Sequence, residues 1–323
     1  MRISVVIPAY NAAAFIADTI ASVRKQTLAP HEIVVVDDGS VDGTAAVARA
    51  LGCRVLVQSN GGVCAARNAG ILAAEGDWIA LLDHDDIWLP GKLDRQARAA
   101  ALCPDVMCFA TDFVRQRTDG DGTPCLDDSR YAFDLVTTEP VEGTILRCPQ
   151  LGSEVLGIGW FLYPSSMLIR RDTLLAAGMF RPEQRLCEDV DCFLRVLART
   201  QLVLVREPLW CWREHSGNTS RDSTGIAEGW MRLGQYVRNE PHAYPPGTLE
   251  RLQPILQTMR RELVAEYTTR GDFRSARRVS RTPVGGRRTP TDTALAVVVE
   301  FPPPLWAMLR RARNVFRALS LSS

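Results

Sequence analysis

The chain has 323 residues, of which 46% are hydrophobic, with nine cysteines and a net charge of +1. This length allows one large α/β domain with a tail, or two domains, and the near-neutral charge provides no field that would attract nucleic acid. The cysteines form no C-x-x-C pair, Pro8 interrupts the short apolar run at the start, and no stretch reaches the roughly 18 apolar residues of a membrane span. We therefore expect a cytoplasmic protein without structural zinc.

Strands and helices alternate over the first hundred residues. Four apolar runs rich in β-branched residues predict strands, and each is followed by a stretch with helical periodicity. The predicted strands are Ile3–Pro8, Glu32–Asp38, 53–59 and Asp77–Asp83, and the predicted helices are Phe15–Gln26, 42–51, Val63–Ala74 and Pro90–Leu102. Such a pattern is typical of an α/β fold with a mainly parallel central sheet flanked by helices, in which ligands bind beyond the carboxyl ends of the strands.

The alternation weakens after Leu102. Further strands are predicted at 106–114, 165–171 and 201–207, helices at Asp172–Ala177 and 188–198, and a loop at Asp119–Ser129. Helical segments follow from about Asp222, then a linker at Thr282–Thr291 and a basic amphipathic helix within Ala294–Leu321. We therefore predict a first domain at 1–221 and a helical extension at 222–323. The basic helix either contacts a membrane surface or packs on the first domain with its arginines in solvent.

Three carboxylates follow the fourth predicted strand, where Asp83, Asp85 and Asp86 stand within four residues. Oxygen ligands suit Mg²⁺ or Mn²⁺, which commonly combine one or two carboxylates with substrate phosphates. The alternative is a solvated acidic turn that caps the next helix. His84 points away from Asp83 and Asp85 in an extended backbone, so we do not expect it to bind the metal.

Other strand ends and loops carry weaker signals. Asp38, after the second strand, either accepts hydrogen bonds from a nucleotide or belongs to an Asp/Gly turn. Asn60 and two glycines lead into a helix start, which attracts anions, but no P-loop or G-x-G-x-x-G pattern is present.

Two later stretches also carry candidate groups. Glu188 and Asp189 begin a predicted helix, where acids either complement the helix dipole or supply a general base. Arg213 and His215 follow a strand and either bind phosphate or metal, or serve the structure. Each of these signals is weak when taken alone.

Taken in order, six stretches resemble family 2 glycosyltransferases of the GT-A nucleotide-diphospho-sugar transferase fold: VVIPAYN, VVVDDGSVDGT, GGVCAARNAG, ALLDHDD, GMF before CEDVDCFLRV, and WREHSGNTS. The resemblance covers about Ile3 to Ser220. It implies a metal-dependent, inverting transfer of a sugar from a nucleoside-diphosphate sugar, with UDP-sugar favoured, to an acceptor hydroxyl. The implied cofactor is Mn²⁺ or Mg²⁺. The implied acceptor is a glycan or a lipid-linked molecule used in the synthesis of surface polysaccharide or lipid-linked glycans. Peripheral contact with the cytoplasmic face of the membrane is compatible with such an acceptor.

The resemblance also implies a role for each matching residue. Binding of the nucleotide sugar is assigned to Pro8, Ala9, Tyr10, Asn11, Asp38, Asn60, Arg67, Asp83, His84, Asp85, Arg213, His215 and Ser216. The metal is assigned to Asp85, Asp83 and His215, with Asp86 as a helper. Asp189 is the implied base, and Glu188 positions it or an acceptor hydroxyl.

One position departs from the family pattern. A Phe-Asp-Glu sequence precedes the catalytic acids in many relatives, whereas this chain has Arg181 after Phe180, followed by Pro182 and Glu183. Because of this arginine, the resemblance does not identify the acceptor.

Two other classes of function fit part of the pattern. A non-catalytic nucleotide-sugar-binding protein could retain the fold, but the joint presence of Asp85, Asp189 and His215 argues against it. A nucleotidyltransferase on a related fold typically has a glycine- and arginine-rich loop and a lysine soon after the first strand, and none follows Pro8. We therefore predict a glycosyltransferase.

Overall fold

The structure is a computed structural model that describes residues 1–116 and 136–284. The strands in these residues are β1 (Ile3–Ala9), β2 (Glu32–Asp37), β3 (Arg54–Val57), β4 (Trp78–Leu81), β5 (Ile87–Trp88), β6 (Cys108–Gln116), β7 (Glu139–Glu142), β8 (Ile145–Cys148), β9 (Leu168–Arg170) and β10 (Leu202–Arg213). The helices are α1 (Ile16–Arg24), α2 (Thr44–Ala50), α3 (Val63–Ala73), α4 (Lys92–Leu102), α5 (Val155–Ile158), α6 (Arg171–Ala176), α7 (Glu188–Leu197), α8 (Ser223–Asn239), α9 (Thr248–Thr269) and α10 (Phe273–Arg281). The predicted loop at 119–129, the linker beyond residue 284 and the helix within 294–321 lie outside the described residues.

The ten strands form one sheet in the order β3-β2-β1-β4-β9-β6-β10-β8-β7, with β5 beside the end of β10. The first four strands pair in parallel, and β6 pairs in parallel with β10. Because β9 is antiparallel to both β4 and β6, the strands on its two sides run in the same direction. The sheet is therefore mostly parallel in strand direction, as the sequence predicts.

The central strand β1 is buried along all seven residues, which explains its continuous apolar run. Helix α3 packs closely over it at Gly70, where an added Cβ would lie 2.4 Å from a side-chain carbon of Val6. Only glycine permits this approach without a shift of the helix or the strand. The same helix carries Arg67 one turn earlier, so the close packing also fixes where that side chain lies.

The short strands at the other end of the sheet were not predicted from sequence. Strand β7 leaves three of its four residues exposed, and β5 has only two residues. Neither strand contains the apolar run or alternation that identifies a strand in a sequence. Strand β10 extends to Arg213, beyond the predicted end at residue 207, with irregular pairing near Pro208.

Helices α8, α9 and α10 share a core with the α/β region. Leu233, Leu256 and Leu263 of the extension belong to the same buried cluster as Phe193 and Leu194 of α7. One buried hydrophobic cluster of the described residues thus extends across the boundary predicted at 221 and 222. No helix in the described ranges combines the length and apolar character needed to cross a bilayer.

A buried carboxylate fastens the extension to α7. Asp191 is fully buried and accepts hydrogen bonds from the Tyr244 hydroxyl at 2.5 Å and from Arg195 at 2.6 Å. Arg181 lies 3.4 Å from the same carboxylate and donates two hydrogen bonds to Glu240, at 3.1 and 2.7 Å. The arginine that departs from the family pattern therefore joins α7 to the segment after α8.

Replacing Tyr244 by Phe is expected to lower the free energy of unfolding by about 2 kcal/mol, because a hydrogen bond to a charged group contributes about 1.5–3 kcal/mol. Urea unfolding followed by circular dichroism measures the change. Tyr236→Phe is the matched control, since this ring lies under Arg181 at 4.5 Å and the substitution keeps it. The control should change stability by less than about 0.5 kcal/mol. Equal losses in both variants would contradict the role assigned to the Tyr244 hydroxyl.

Candidate active site

The carboxyl ends of β1, β2 and β4 meet at one edge of the sheet, as expected for neighbouring parallel strands. At the end of β2, Asp38 is 3% exposed, and both of its carboxylate oxygens are engaged. Oδ1 accepts hydrogen bonds from the Gln58 amide at 2.7 Å and the Gly61 N–H at 2.9 Å, and Oδ2 accepts one from the Gly62 N–H at 2.8 Å. Asp38 thus holds the 58–62 loop against the end of β2.

The loop after β1 is joined to the loop after β2. Asn11 adopts a left-handed backbone conformation with φ +48°. Its side-chain oxygen accepts a hydrogen bond from the Val41 N–H at 3.0 Å, and its own N–H donates to the Ser40 hydroxyl at 2.9 Å. Tyr10 and Asn60 are exposed on this side of the sheet. These contacts form an open polar rim at the predicted nucleotide site.

The end of β1 also contacts the acidic turn after β4. Nδ1 of His84 lies 3.2 Å from the Pro8 carbonyl oxygen, while the buried Ala9 accepts a hydrogen bond from the Asp38 N–H at 2.8 Å. His84 thus faces the β1 backbone, and Ala9 contributes main-chain atoms to the edge.

The three acids after β4 have different environments. Asp86 is buried and accepts a hydrogen bond from the Ser165 hydroxyl at 2.5 Å, and Ser165 in turn accepts the Asp83 N–H at 3.1 Å. Burial, and then the charges of Asp85 and Asp83, raise the pKa of Asp86 well above its usual range. Asp83 and Asp85 remain partly exposed. The acidic turn therefore presents Asp83 and Asp85 outward and Asp86 inward.

The end of β10 brings His215 to this turn. Nε2 of His215 lies 2.9 Å from Oδ2 of Asp85, and the imidazole stacks on Phe15 with ring centroids 4.6 Å apart. Arg213 donates a hydrogen bond to the Asp85 carbonyl oxygen. Ser216 follows in an exposed turn.

Asp85 and His215 bring a carboxylate oxygen and an imidazole nitrogen within 2.9 Å of each other. Together with oxygens of a diphosphate, these two groups would form a ligand set that fits Mn²⁺ or Mg²⁺. Within the described ranges, no three His, Cys, Asp or Glu side chains gather as a ligand set by themselves. Asp83 as a third ligand stays a prediction.

Arg67 joins the acidic turn to α7. Its side chain is 4% exposed, and its guanidinium lies 2.7 Å from Oδ1 of Asp83 and 2.7 Å from Oε1 of Glu188. The resemblance assigned Arg67 to binding of the nucleotide sugar; in the structure both of its terminal nitrogens contact acids of the site. One buried side chain therefore spans the distance between the strand-end acids and the helix that carries Asp189.

Asp189 lies in the first turn of α7. The Trp160 indole N–H donates to its Oδ2 at 3.0 Å, and the Val190 N–H donates to Oδ1 at 2.8 Å. Burial, and then the charge of Glu188, raise the pKa of Asp189 to about 7. A carboxylate with a pKa near neutrality is suited to accept a proton at physiological pH.

Several residues of the site have no signal in the sequence. Trp160 and Gln58 are isolated polar or aromatic residues next to short elements, and Phe15 and Ser165 belong to no recognisable motif. These residues contact segments that are distant in the chain, and local periodicity and spacing do not predict such contacts.

Replacing Arg67 by Met is expected to lower the free energy of unfolding by about 3 kcal/mol, because two acids lose the cation between them. Arg54→Met is the matched control. Arg54 also bridges two acids, Glu32 at 3.2 Å and Glu75 at 3.1 Å, but 42% of its side chain is exposed. Exposed pairs contribute up to about 1 kcal/mol. Thermal and urea unfolding compare the variants, and a larger loss in Arg54→Met would contradict the assignment.

The chain is similar to bacterial glycosyltransferases. GlyG of Streptococcus pneumoniae is 24% identical over 236 residues, covering 71% of this chain and 76% of GlyG. An uncharacterised glycosyltransferase of Rickettsia typhi is 38% identical over 241 residues, covering 72% and 70%. TuaG of Bacillus subtilis, a glycosyltransferase assigned to teichuronic acid biosynthesis, is 33% identical over 153 residues, covering 45% and 59%. The chain thus spans less than two thirds of the length of several curated relatives, TuaG among them.

Solved structures share the fold. S. aureus TarS, residues 1–349 in complex with UDP-GlcNAc, has a TM-score of 0.63 at 17% identity and covers 92% of this chain and 84% of its own. The mannosyltransferase PcManGT from Pyrobaculum calidifontis, in complex with GDP-Man and Mn²⁺, has a TM-score of 0.55 at 17% identity and covers 95% and 83%. The predicted GT-A-like fold is confirmed.

The family model for glycosyl transferase family 2 matches residues 4–172, which is more than half of the 323 residues. This match includes the carboxyl ends of β1, β2 and β4 and the acidic turn after β4. The chain therefore belongs to glycosyl transferase family 2.

Proposed function

We propose that the chain is an inverting, metal-dependent glycosyltransferase that moves a sugar from a UDP-sugar to an acceptor hydroxyl in surface polysaccharide or lipid-linked glycan synthesis. The observation that carries this proposal is the bridge made by Arg67, which contacts Asp83 and Glu188 at 2.7 Å each. Asp83 is two residues from Asp85, and Glu188 adjoins Asp189. Arg67 therefore holds the turn that carries the groups assigned to the leaving diphosphate close to the helix turn that carries the group assigned to the acceptor proton.

The rim of the sheet supports binding of the donor. Asp38 accepts two hydrogen bonds on Oδ1 and one on Oδ2 from residues 58–62, which fixes the loop proposed to meet the nucleoside. Tyr10 follows β1 at the neighbouring strand end and is 47% exposed, so its aromatic ring is accessible. TarS in complex with UDP-GlcNAc and PcManGT in complex with GDP-Man share the fold, and we favour the uridine donor.

Asp85 and His215 would hold the divalent metal, Mn²⁺ or Mg²⁺. PcManGT in complex with Mn²⁺ supports this proposal. When bound, such an ion neutralises negative charge on the departing diphosphate, an effect that lowers barriers by several kcal/mol. Arg213 holds the Asp85 backbone, and Phe15 holds the His215 ring, so both groups are oriented by the fold.

Asp189 acts on the acceptor. Its carboxylate takes the proton of the acceptor hydroxyl as that oxygen attacks the anomeric carbon from the face opposite the diphosphate. The new carbon–oxygen bond forms while the bond to the diphosphate oxygen breaks, and the anomeric configuration inverts. Glu188, fixed by Arg67, sets the position of the helix turn that carries the base.

The acceptor assignment rests on different observations. TuaG, a relative assigned to teichuronic acid biosynthesis, supports a polysaccharide product. Helix α10 carries four arginines and no acid, which fits contact with an anionic lipid surface at the cytoplasmic leaflet. Arg181 is engaged with Glu240, so its charge serves the packing of the extension rather than an open acceptor pocket.

Asp189→Asn is expected to reduce release of UDP from UDP-GlcNAc, with Mn²⁺ present and water as acceptor, by about 10²-fold or more, because general-base catalysis contributes about 10²–10⁴ in rate. The UDP dissociation constant from calorimetry should stay within about twofold. In the unmodified protein the rate should rise as pH increases through about 7, since the base must be unprotonated. Asp172→Asn, an exposed acid in the first turn of α6, is the matched control.

Equal turnover by Asp189→Asn and the unmodified protein would contradict the base assignment. If UDP-GlcNAc, UDP-glucose and GDP-mannose all bind and none is hydrolysed, the non-catalytic nucleotide-sugar-binding protein becomes the better interpretation.

Asp85→Ala is expected to abolish the part of UDP binding that depends on Mn²⁺, because the variant lacks the carboxylate proposed to bind the ion. Calorimetric titration of UDP with and without Mn²⁺ measures this part directly. Asp172→Ala should retain the full dependence on Mn²⁺. Retained dependence in Asp85→Ala would refute the metal assignment.

A further inference from the structure

Trp160 lies in the irregular segment after α5, and its indole contacts the first turn of α7. It follows the short helix α5 and Gly159, whose φ of +95° is a conformation that residues with side chains rarely adopt. The neighbours on either side are anchored in the core, with Ile158 5% and Phe161 1% exposed. The indole is therefore held by buried neighbours, although Trp160 itself is only partly buried.

The indole N–H reaches the carboxylate that accepts the proton. It donates to Oδ2 of Asp189 at 3.0 Å, while the Val190 N–H donates to Oδ1 at 2.8 Å. Each oxygen thus has one donor, and a carboxylate has about four lone-pair positions. The two donors fix the plane of the group and leave room on either oxygen for an acceptor hydroxyl.

We propose that Trp160 is a positioning residue for sugar transfer, whose indole N–H holds the Asp189 carboxylate in the orientation from which it accepts the proton of the acceptor. This inference rests on the proposed function, in which Asp189 is the base. No feature of the sequence marks Trp160, because its contact with Asp189 joins segments 29 residues apart.

The charges around Asp189 define the direction of the effect. Glu188 of α7 raises its pKa, while Arg67 of α3 lowers it, and the thiols of Cys187 and Cys192 interact with the same carboxylate. The Trp160 N–H acts in the same direction as Arg67, because it stabilises the charged form. Removing this donor therefore raises the pKa further, and the rate should then rise only at higher pH.

The first experiment needs no turnover. The indole ¹H–¹⁵N resonances of the seven tryptophans are followed by NMR from pH 5 to 9, and the Trp160 signal is identified by its loss in Trp160→Phe. We expect this signal to titrate with a midpoint near 7 and the titration to disappear in Asp189→Asn. Trp78→Phe, a change at the far end of β4, should leave the Trp160 titration intact. A Trp160 signal that does not titrate would overturn the inference.

The second experiment measures catalysis. Trp160→Phe keeps an aromatic ring without the donor, and Trp160→Gln restores an N–H without the ring. With UDP-GlcNAc and Mn²⁺, Trp160→Phe should lower kcat by about tenfold, the size expected for one hydrogen bond to a charged group. The low-pH limb of its pH–rate profile should move to higher pH, and its affinity for UDP should stay within about twofold of that of the unmodified protein. Trp160→Gln should return the low-pH limb toward its original position.

The outcomes separate this inference from the proposed function. If Trp160→Phe has the unmodified kcat and pH profile while Asp189→Asn is inactive, the positioning role is wrong and the base assignment stands. If Asp189→Asn remains active, the base assignment fails. Circular dichroism and thermal unfolding check that each variant folds, and the Gln variant provides the test if the Phe variant does not.

Discussion

The site depends on a single buried cation. Arg67 is held by α3, whose close packing on β1 requires Gly70, and its guanidinium contacts Asp83 and Glu188. A charge removed from water in this way is stable only next to opposite charges with good geometry. The two acids are therefore constrained by the helix–sheet packing, and the acidic turn and α7 keep one relative position. The groups proposed to act on the donor and on the acceptor are thus held by one side chain.

The extension fixes the same helix from inside the core. Asp191, two residues beyond the proposed base, is bonded to Tyr244 between α8 and α9. The segment before α7 is also held by the buried Gln184. Its side-chain amide donates a hydrogen bond to the Gly229 carbonyl oxygen of α8 at 2.9 Å, and its main-chain carbonyl oxygen accepts one from the Cys64 thiol at 3.1 Å. Residues beyond 221 thus contribute to the geometry of the site through the protein interior.

The sequence predicted most of the α/β framework because the buried strands of a parallel sheet are apolar along their whole length, as β1 is. Strands β5 and β7 could not be predicted, since β5 has two residues and β7 is mostly exposed. Their pairing is determined by neighbours in the sheet.

The candidate acids could be identified from their motifs. The residues that form ion pairs or hydrogen bonds with them could not be predicted from the sequence. Arg67 was assigned to binding of the nucleotide sugar, and its position between two carboxylates became visible only in the structure. The bond from Trp160 to Asp189 likewise joins segments that share no local pattern. Spacing along the chain reports which side chains share a face, whereas a buried ion pair depends on how separate elements pack.

The three hydrogen bonds from residues 58–62 to Asp38 have a consequence for ligand capture. These bonds are made by groups of the protein itself, so they hold the turn in place independently of any contact with a ligand. Ordering a flexible segment opposes association. A rim held in this way lowers the entropic cost of ligand binding, so more of the free energy of the contacts remains as affinity.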